Sequence, residues 1–279
     1  MTPRQKRAEI LVVGNELLNG TTLDTNSFWI SKKLVELGFK VDRKSTVRDE
    51  LAAISLAFKQ CLSRKPDWVF SVGGLGPTYD DMTSRGLARA LAKRFMIDNE
   101  AVNMVRASYK RKAAIFKRPT RRLTKPSLKM AMIPHGSTPL QNPVGSAPGV
   151  LAKSGGTRII LLPGVPSEMR AIFLNSAVPL LKKTSNFVRA ENWIKLVGVS
   201  ESRLSPAISR VSRRYETLYI KSHPKGFEKG RSVIHVQIIL TTRPDGKNAG
   251  LIAIEAASRT IEAASRKLGA KVSRTKSVR

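Results

Sequence analysis

Short apolar runs alternate with amphipathic stretches along the chain up to about residue 186. The apolar runs predict β-strands over residues 9–13, 68–72 and 158–162, and residues 39–47 are predicted to form the second strand of the chain. Between the first two runs, Ile30 and Leu34 recur at helical spacing, and Gly38 follows as the glycine that commonly ends a helix. A second helix is predicted to begin after Asp49, a good N-cap residue. Strands alternating with helices in this way predict a three-layer α/β domain with a mostly parallel sheet.

The pattern changes near Asn186. Strands are predicted over residues 193–199, 218–222 and 233–242, and helices over residues 201–212 and 249–268. This β-α-β-β-α order predicts a separate, small α+β domain. We therefore divide the chain into a first domain over residues 1–186 and a second over residues 187–279.

Composition narrows the class of protein. The chain has 279 residues with 41% hydrophobic content, enough for two domains with real cores. No apolar run approaches the roughly 20 residues that a membrane-spanning helix needs, so no membrane association is expected. The one cysteine, Cys61, excludes an internal disulfide and suits a reducing compartment. These features predict a soluble, cytoplasmic protein.

The net charge of +30 attracts polyanions, whatever the fold. Within residues 102–130, the ionisable side chains other than Tyr109 are all basic: Arg106, Lys110, Arg111, Lys112, Lys117, Arg118, Arg121, Arg122, Lys125 and Lys129. This basic segment leaves two interpretations open. It could bind nucleic acid, or it could form a basic rim around an anionic small molecule.

The stretch GGLGPTYDD follows the third predicted strand, where ligands of open parallel sheets commonly bind. Gly73, Gly74 and Gly76 lack a Cβ, so their backbone N–H groups can approach a phosphate closely. Asp80 and Asp81 precede a predicted helix. One of them is expected to cap that helix, which leaves the other to hold a divalent cation shared with an anionic ligand. The stretch matches neither the dinucleotide-binding fingerprint nor the P-loop.

Five motifs together resemble a known family. In order they are GNELLNG with Asn26, VRD ending at Asp49, GGLGPTYDDMT, NPVGSAPG and LPGVPSEM. They resemble the molybdopterin-binding-like domain of CinA-type competence/damage-inducible proteins, which is related to the MoaB/Mog molybdenum-cofactor proteins and to the N-terminal domain of eukaryotic FAD synthases. The resemblance covers about residues 8–185. The second domain resembles, less specifically, the KH-like middle domain of the same proteins.

The resemblance implies a divalent-metal-dependent (Mg²⁺ or Co²⁺) and K⁺-dependent hydrolysis of the pyrophosphate of ADP-ribose. It assigns catalysis to Asp81 and Asp49, and metal binding to Asp80, Asp81 and Glu168. The other site residues that it implies for substrate and phosphate are Gly14, Glu16, Asn26, Gly73, Gly74, Gly76, Thr78, Gly145, Ser146, Gly149, Gly164 and Ser167. Mog-type relatives instead bind molybdopterin, so pterin binding without turnover is an alternative. Nucleic-acid binding through residues 102–130 is a second alternative.

This chain departs from the family pattern at two positions. Asn15 replaces a threonine of the first motif, and Ser146 replaces a threonine of the fourth. CinA-type proteins often continue into a nicotinamide-nucleotide deamidase domain, and the resemblance implies that this chain lacks that activity. It also implies a homo-oligomer, either a dimer or a trimer.

Overall fold

The computed structural model describes residues 4–117, 119 and 122–275, so Arg118 and Arg121 of the basic segment lie outside the described residues. The chain divides into two compact units, of which the first ends at Ser185 and the second begins at Asn186. The strands of the first unit are β1 (Arg7–Val13), β2 (Lys40–Val47), β3 (Trp68–Val72), β4 (Phe95–Ile97), β5 (Met132–Pro134), β6 (Thr138–Leu140), β7 (Gly149–Ser154) and β8 (Thr157–Leu162). Its helices are α1 (Asn15–Leu18), α2 (Thr25–Glu36), α3 (Leu51–Ser63), α4 (Thr83–Ala90), α5 (Asn99–Ile115), α6 (Lys125–Lys129), α7 (Pro166–Ile172) and α8 (Val178–Thr184).

A six-stranded sheet in the order β2-β1-β3-β8-β7-β6 forms the centre of the first unit. The four predicted strands β2, β1, β3 and β8 are parallel, whereas β7 and β6 continue the sheet in antiparallel pairing. Strands β4 and β5 pair separately. The predicted three-layer, mostly parallel α/β architecture is therefore confirmed.

Alternating side chains of the parallel strands bury both faces of this sheet. Leu11 and Val13 belong to a core that also includes Phe58 of α3. Ile10 and Val12 belong to a second core on the other face, with side chains of α2 and α7. Because a parallel sheet covered on two sides buries its inner strands, β1, β3 and β8 are mostly apolar runs in the sequence, whereas the edge strand β2 is polar and partly exposed.

Helix ends agree with the sequence in one case and differ in two. Helix α2 ends as predicted, since Gly38 follows it with a φ of +84°. Asp49 was predicted to cap α3, and this is wrong, because the N-cap position is Glu50 and makes no side-chain cap bond. The prediction that Asp80 or Asp81 caps α4 is also wrong: its N-cap is Met82, again without a side-chain bond.

The second unit is an antiparallel sheet with helices on one face. Its elements are β9 (Val188–Val197), α9 (Glu201–Arg214), β10 (Leu218–Glu228), β11 (Arg231–Thr242), α10 (Lys247–Lys267) and β12 (Lys271–Thr275). The sequence did not predict β12, which pairs with β9 and gives the strand order β10-β11-β9-β12. This is the order of the ferredoxin-like β-α-β-β-α-β arrangement. The likeness to a KH domain stays a prediction. No helix among the described residues is long and apolar enough to cross a membrane.

Candidate functional site

A cavity of about 660 Å³ opens at the carboxyl ends of the parallel strands in the first unit. The chain connects β1 to β2 on one side and returns to β3 on the other, so this edge is the topological switch point of the sheet. The sequence-predicted site residues that line the cavity are Gly14, Glu16, Asn26, Asp49, Gly73, Gly74, Gly76, Thr78, Asp80, Asp81, Ser146, Gly164 and Glu168. Gly145, Gly149 and Ser167 do not line it. Residues from Gly14 to Glu168 thus meet around one cavity.

Asp49 joins the loop after β2 to the loop after β1. Its Oδ2 accepts a hydrogen bond of 2.6 Å from the backbone N–H of Asn15. Burial raises the pKa of Asp49, and the negative charges of Glu16, Asp80 and Asp81 raise it further, against the effect of the Asn15 bond. These four acidic residues therefore lie within electrostatic reach of one another.

The loop after β3 requires glycine in the GGLG stretch, both for its backbone conformation and for its close contacts with neighbouring residues. Gly73 and Gly74 have φ angles of +99° and +66°, which disfavour any other residue. A Cβ on Gly73 would also collide with the carbonyl oxygen of Val13, and one on Gly74 with the hydroxyl of Thr83. That hydroxyl donates a 2.8 Å hydrogen bond to the carbonyl of Gly73 and fixes the turn.

The two aspartates of this loop converge on Thr78. Asp81 Oδ2 accepts a hydrogen bond of 2.9 Å from the Thr78 backbone N–H. The Thr78 hydroxyl lies 2.5 Å from Asp81 Oδ2 and 2.6 Å from Asp80 Oδ1. That hydroxyl lowers the pKa of Asp80, so its carboxylate is held ionised. Gly76 is needed here because a Cβ would lie 2.5 Å from Asp81 Oδ2.

Asn142, which the sequence analysis did not single out, organises the NPVGSAPG loop. Its Oδ1 accepts hydrogen bonds from the N–H groups of Val144 (3.1 Å) and Gly145 (2.7 Å). Its Nδ2 donates to the Ala147 carbonyl (2.8 Å) and to Glu168 Oε2 (2.7 Å). An Asn-Pro pair at the start of a turn was the available signal.

Gly145 and Gly149 serve packing around this loop. The carboxylate of Glu168 occupies the space that a Cβ on Gly145 would need, so Gly145 makes room for Glu168. At Gly149 a Cβ would lie 3.0 Å from the Leu161 carbonyl oxygen in the neighbouring strand β8. Neither glycine needs a bound ligand to explain it.

Helix α5 supplies two cavity residues that the sequence analysis did not assign to the site, Tyr109 and Lys112. Lys112 Nζ donates a 2.8 Å hydrogen bond to the Ser146 hydroxyl. Arg111 Nη2 donates to the Gly145 carbonyl at 3.2 Å. Lys129, on α6, donates to the backbone carbonyl of Thr78. Part of the basic segment therefore holds the loops of the cavity.

The cavity is lined mainly by acidic ionisable groups. Among the described residues, those of its lining that are acidic are Glu16, Asp24, Asp49, Asp80, Asp81 and Glu168, and the basic one is Lys112. Within the described ranges, no three histidine, cysteine, aspartate or glutamate residues group in a way that could hold a metal ion by themselves. Asp49 and Asp81 lie on separate loops. They suit a cation site of another kind, in which one or two carboxylates bind a hard cation together with the phosphates of a ligand.

A further hydrogen bond joins two segments that line the cavity. Asn26 Nδ2, at the start of α2, donates a 2.7 Å hydrogen bond to the carbonyl of Gly164, in the loop after β8. A Cβ on Gly164 would lie 3.6 Å from the Cα of Gly73, an ordinary contact, so this glycine is not needed for packing. The loops after β1 and β8 are thus joined across the cavity mouth.

Comparisons with known proteins cover both units. The family model described as a probable molybdopterin binding domain matches residues 9–183. A protein of Pyrobaculum aerophilum is 41% identical over 267 residues, which cover 95% of this chain and 97% of that protein. A protein of Aeropyrum pernix is 40% identical over 259 residues, with 92% and 94% covered. The crystal structure of CinA from Thermoplasma acidophilum, described as of unknown function, is 40% identical with a TM-score of 0.57, and the match covers 63% of this chain and 99% of that one.

Proposed function

Because the chain belongs to the probable molybdopterin binding domain family, we propose that its cavity binds a phosphorylated nucleotide or pterin together with a divalent cation. We further propose that it hydrolyses the pyrophosphate of a nucleotide such as ADP-ribose. The cavity volume of about 660 Å³ is within the range of small-molecule sites.

The observation that carries this proposal is the charge of the cavity lining. Carboxylates from the segments that follow β1, β2, β3 and β8 face a space in which Lys112 is the basic lining residue among those that the structure describes. An anionic ligand alone would be repelled there, because like charges at short range in a partly buried site are weakly screened. A Mg²⁺ or Co²⁺ ion between the carboxylates and the phosphates removes that repulsion.

The residues of the chain have distinct roles in this proposal. Asp49 and Asp81 would hold the cation, which when bound neutralises phosphate charge and helps to activate water. Asp49 Oδ2 is engaged by Asn15, so Oδ1 is the atom left to bind the cation. Lys112 stabilises the charge that develops on the leaving phosphate.

The test is release of AMP from ADP-ribose by the full chain with Mg²⁺ or Co²⁺, with and without K⁺. Asp49→Asn and Asp81→Asn keep the shape of each side chain and remove its charge, so we expect each to lower the rate at least about 100-fold. Asp245→Asn, at an exposed aspartate of the second unit, is the matched control and should be unchanged. Cation-independent release, or no release from a panel of nucleotide pyrophosphates, contradicts the hydrolase proposal.

The family match favours a second candidate, binding of molybdopterin without turnover. This candidate requires the same acidic cavity but no proton acceptor. It predicts saturable, cation-dependent binding of the pterin, which Asp49→Asn weakens because the cation is held less tightly, and no pyrophosphate cleavage. Calorimetry with the pterin, read beside the AMP assay, separates the two candidates.

A further inference from the structure

One face of the four-stranded sheet in the second unit carries polar and aromatic side chains. Helices α9 and α10 cover the other face, where Ile194, Leu196, Val236 and Ile238 form the core. Because side chains alternate along a strand, the residues between these point away from the helices. They include Trp193, Lys195, Tyr219, Lys221, His223, His235 and Gln237. We call this set the sheet face.

The Trp193 side chain of the sheet face is held in position by its neighbours. The Trp193 and His223 rings lie 5.4 Å apart between centroids, tilted by 34°. Glu191 accepts hydrogen bonds from Trp193 Nε1 (3.2 Å) and Gln237 Nε2 (3.0 Å), and Arg189 balances its charge at 3.0 Å. The carboxylate of Glu191 therefore orients the ring of Trp193.

The other large aromatic ring of the sheet face, that of Tyr219, is open to solvent. The side chain of Tyr219 is 61% exposed. By strand register Trp193 lies opposite Gln237, and Tyr219 lies opposite Ile239 on the other side of the same strand β11. Two strand spacings and two residues along the strand separate the two rings by about 12 Å. Stacked bases in one strand of a duplex are only about 3.4 Å apart, so the two rings match unstacked bases.

Positive charge accompanies these rings. Lys221 is exposed and lies opposite Gln237 in the sheet. The pKa of His235 is lowered by burial and then by the charges of Lys225 and Lys195, which places those ammonium groups near the same face. Lys195 is paired with Glu228 at 2.6 Å, so Lys221 and Lys225 are the groups that remain for phosphates.

We propose that the sheet face binds single-stranded nucleic acid, with bases stacked on Tyr219 and Trp193 and backbone phosphates on Lys221 and Lys225. Four-stranded sheets of RNA-binding modules stack two or three bases on aromatic side chains in this way. This site is separate from the basic segment at residues 102–130, which has few aromatic residues and is partly engaged with the cavity loops. It also does not depend on the function proposed for the cavity.

The test must separate stacking from the attraction that a net charge of +30 exerts on any polyanion. Fluorescence anisotropy of the full chain would use labelled single-stranded RNA, single-stranded DNA of the same sequence, and duplex RNA, with heparin as competitor. We expect Tyr219→Ala to weaken single-strand binding roughly 5- to 150-fold, the effect of losing one stacked base. Tyr219→Phe keeps the ring and should bind like the unaltered chain.

Phe28→Ala is the matched control, because Phe28 is an aromatic residue of the first unit that is 67% exposed. It should leave single-strand affinity unchanged, and Tyr219→Ala should leave duplex affinity unchanged. The RNA and DNA arms tell which single strand is preferred. The proposal is overturned if Tyr219→Ala binds single strands as tightly as the unaltered chain, or if it loses affinity equally for duplex and single strand. Either result would mean that the net charge alone accounts for binding.

Discussion

The Oδ2 atom of Asp49 lies 2.6 Å from the backbone nitrogen of Asn15 and accepts its hydrogen bond. This bond joins the segments that follow two neighbouring parallel strands, and it holds a carboxylate over the cavity rather than at the N-terminus of α3. It also explains how the chain tolerates asparagine at position 15, since Asp49 binds the backbone there and not the side chain. This contact therefore fixes the position of Asp49 in the acidic lining of the cavity.

The pH dependence of cation binding should reflect the raised pKa of Asp49. A cation needs the ionised carboxylate, so affinity should fall as pH drops through a midpoint above 3.8, the ordinary pKa of the group. The same shift means that folding is favoured by protonation of Asp49, so its ionisation lowers the free energy of unfolding as pH rises through that midpoint. Calorimetric Mg²⁺ titrations across pH measure the midpoint.

Glu16→Gln tests the cause of that shift, because the Glu16 charge raises the pKa of Asp49. We expect the midpoint to move to lower pH in this variant. Glu36→Gln, at a residue on α2 that does not line the cavity, should leave the midpoint unchanged. An unmoved midpoint in Glu16→Gln would show that the Glu16 charge does not contribute to the pKa of Asp49.

Gly145→Ala should destabilise the first unit, because its Cβ would overlap the carboxylate of Glu168. We expect a loss of about 1–3 kcal/mol in urea denaturation, the usual cost of overpacking. Gly156→Ala is the control: a Cβ there meets nothing within 4 Å, and the change should stay within about 0.5 kcal/mol. Adding Glu168→Ala should recover part of the loss at Gly145, and additive losses would contradict the overlap.

Lys112→Ala should weaken cation-dependent binding of ADP-ribose, because Lys112 is the basic side chain that lines the acidic cavity. Loss of one hydrogen bond between charged groups corresponds to about a 10-fold lower affinity. Lys110→Ala removes the same charge from the exposed side of α5, away from the cavity. Equal losses in both variants, measured by calorimetry, would mean that only the overall charge matters.

Arg64→Ala should destabilise the first unit through Glu9, a carboxylate on β1 that is 2% exposed. Arg64 donates two hydrogen bonds to it, from Nε at 2.8 Å and from Nη2 at 2.6 Å. Removing the partner leaves a buried charge unpaired, which costs about 3 kcal/mol. Arg89→Ala, at an exposed arginine of α4, is the control for chemical denaturation. Equal stabilities would show that water satisfies Glu9.

Local chemistry was sufficient for the main strands and for the end of α2. The runs at β1, β3 and β8 are apolar because both sheet faces are covered, and Gly38 ends α2 because glycine adopts a φ of +84° readily. The three-residue strands β4, β5 and β6 were missed, since a strand so short carries no alternation to detect. Strand β12 was missed because only its pairing with β9 makes it a strand.

By itself the sequence determined which loops carry glycines and carboxylates, and that these loops follow strands of one parallel sheet. Only the tertiary structure decided the partners that lie on other loops, which are Asn15 for Asp49 and Asn142 for Glu168, whereas Thr78 is a local partner of Asp80 and Asp81 in the same loop. Local rules assigned three of these carboxylates to helix caps or to a cation. A hydrogen bond depends on distance in space, and most of these partners lie on other loops, which come together only when the sheet forms.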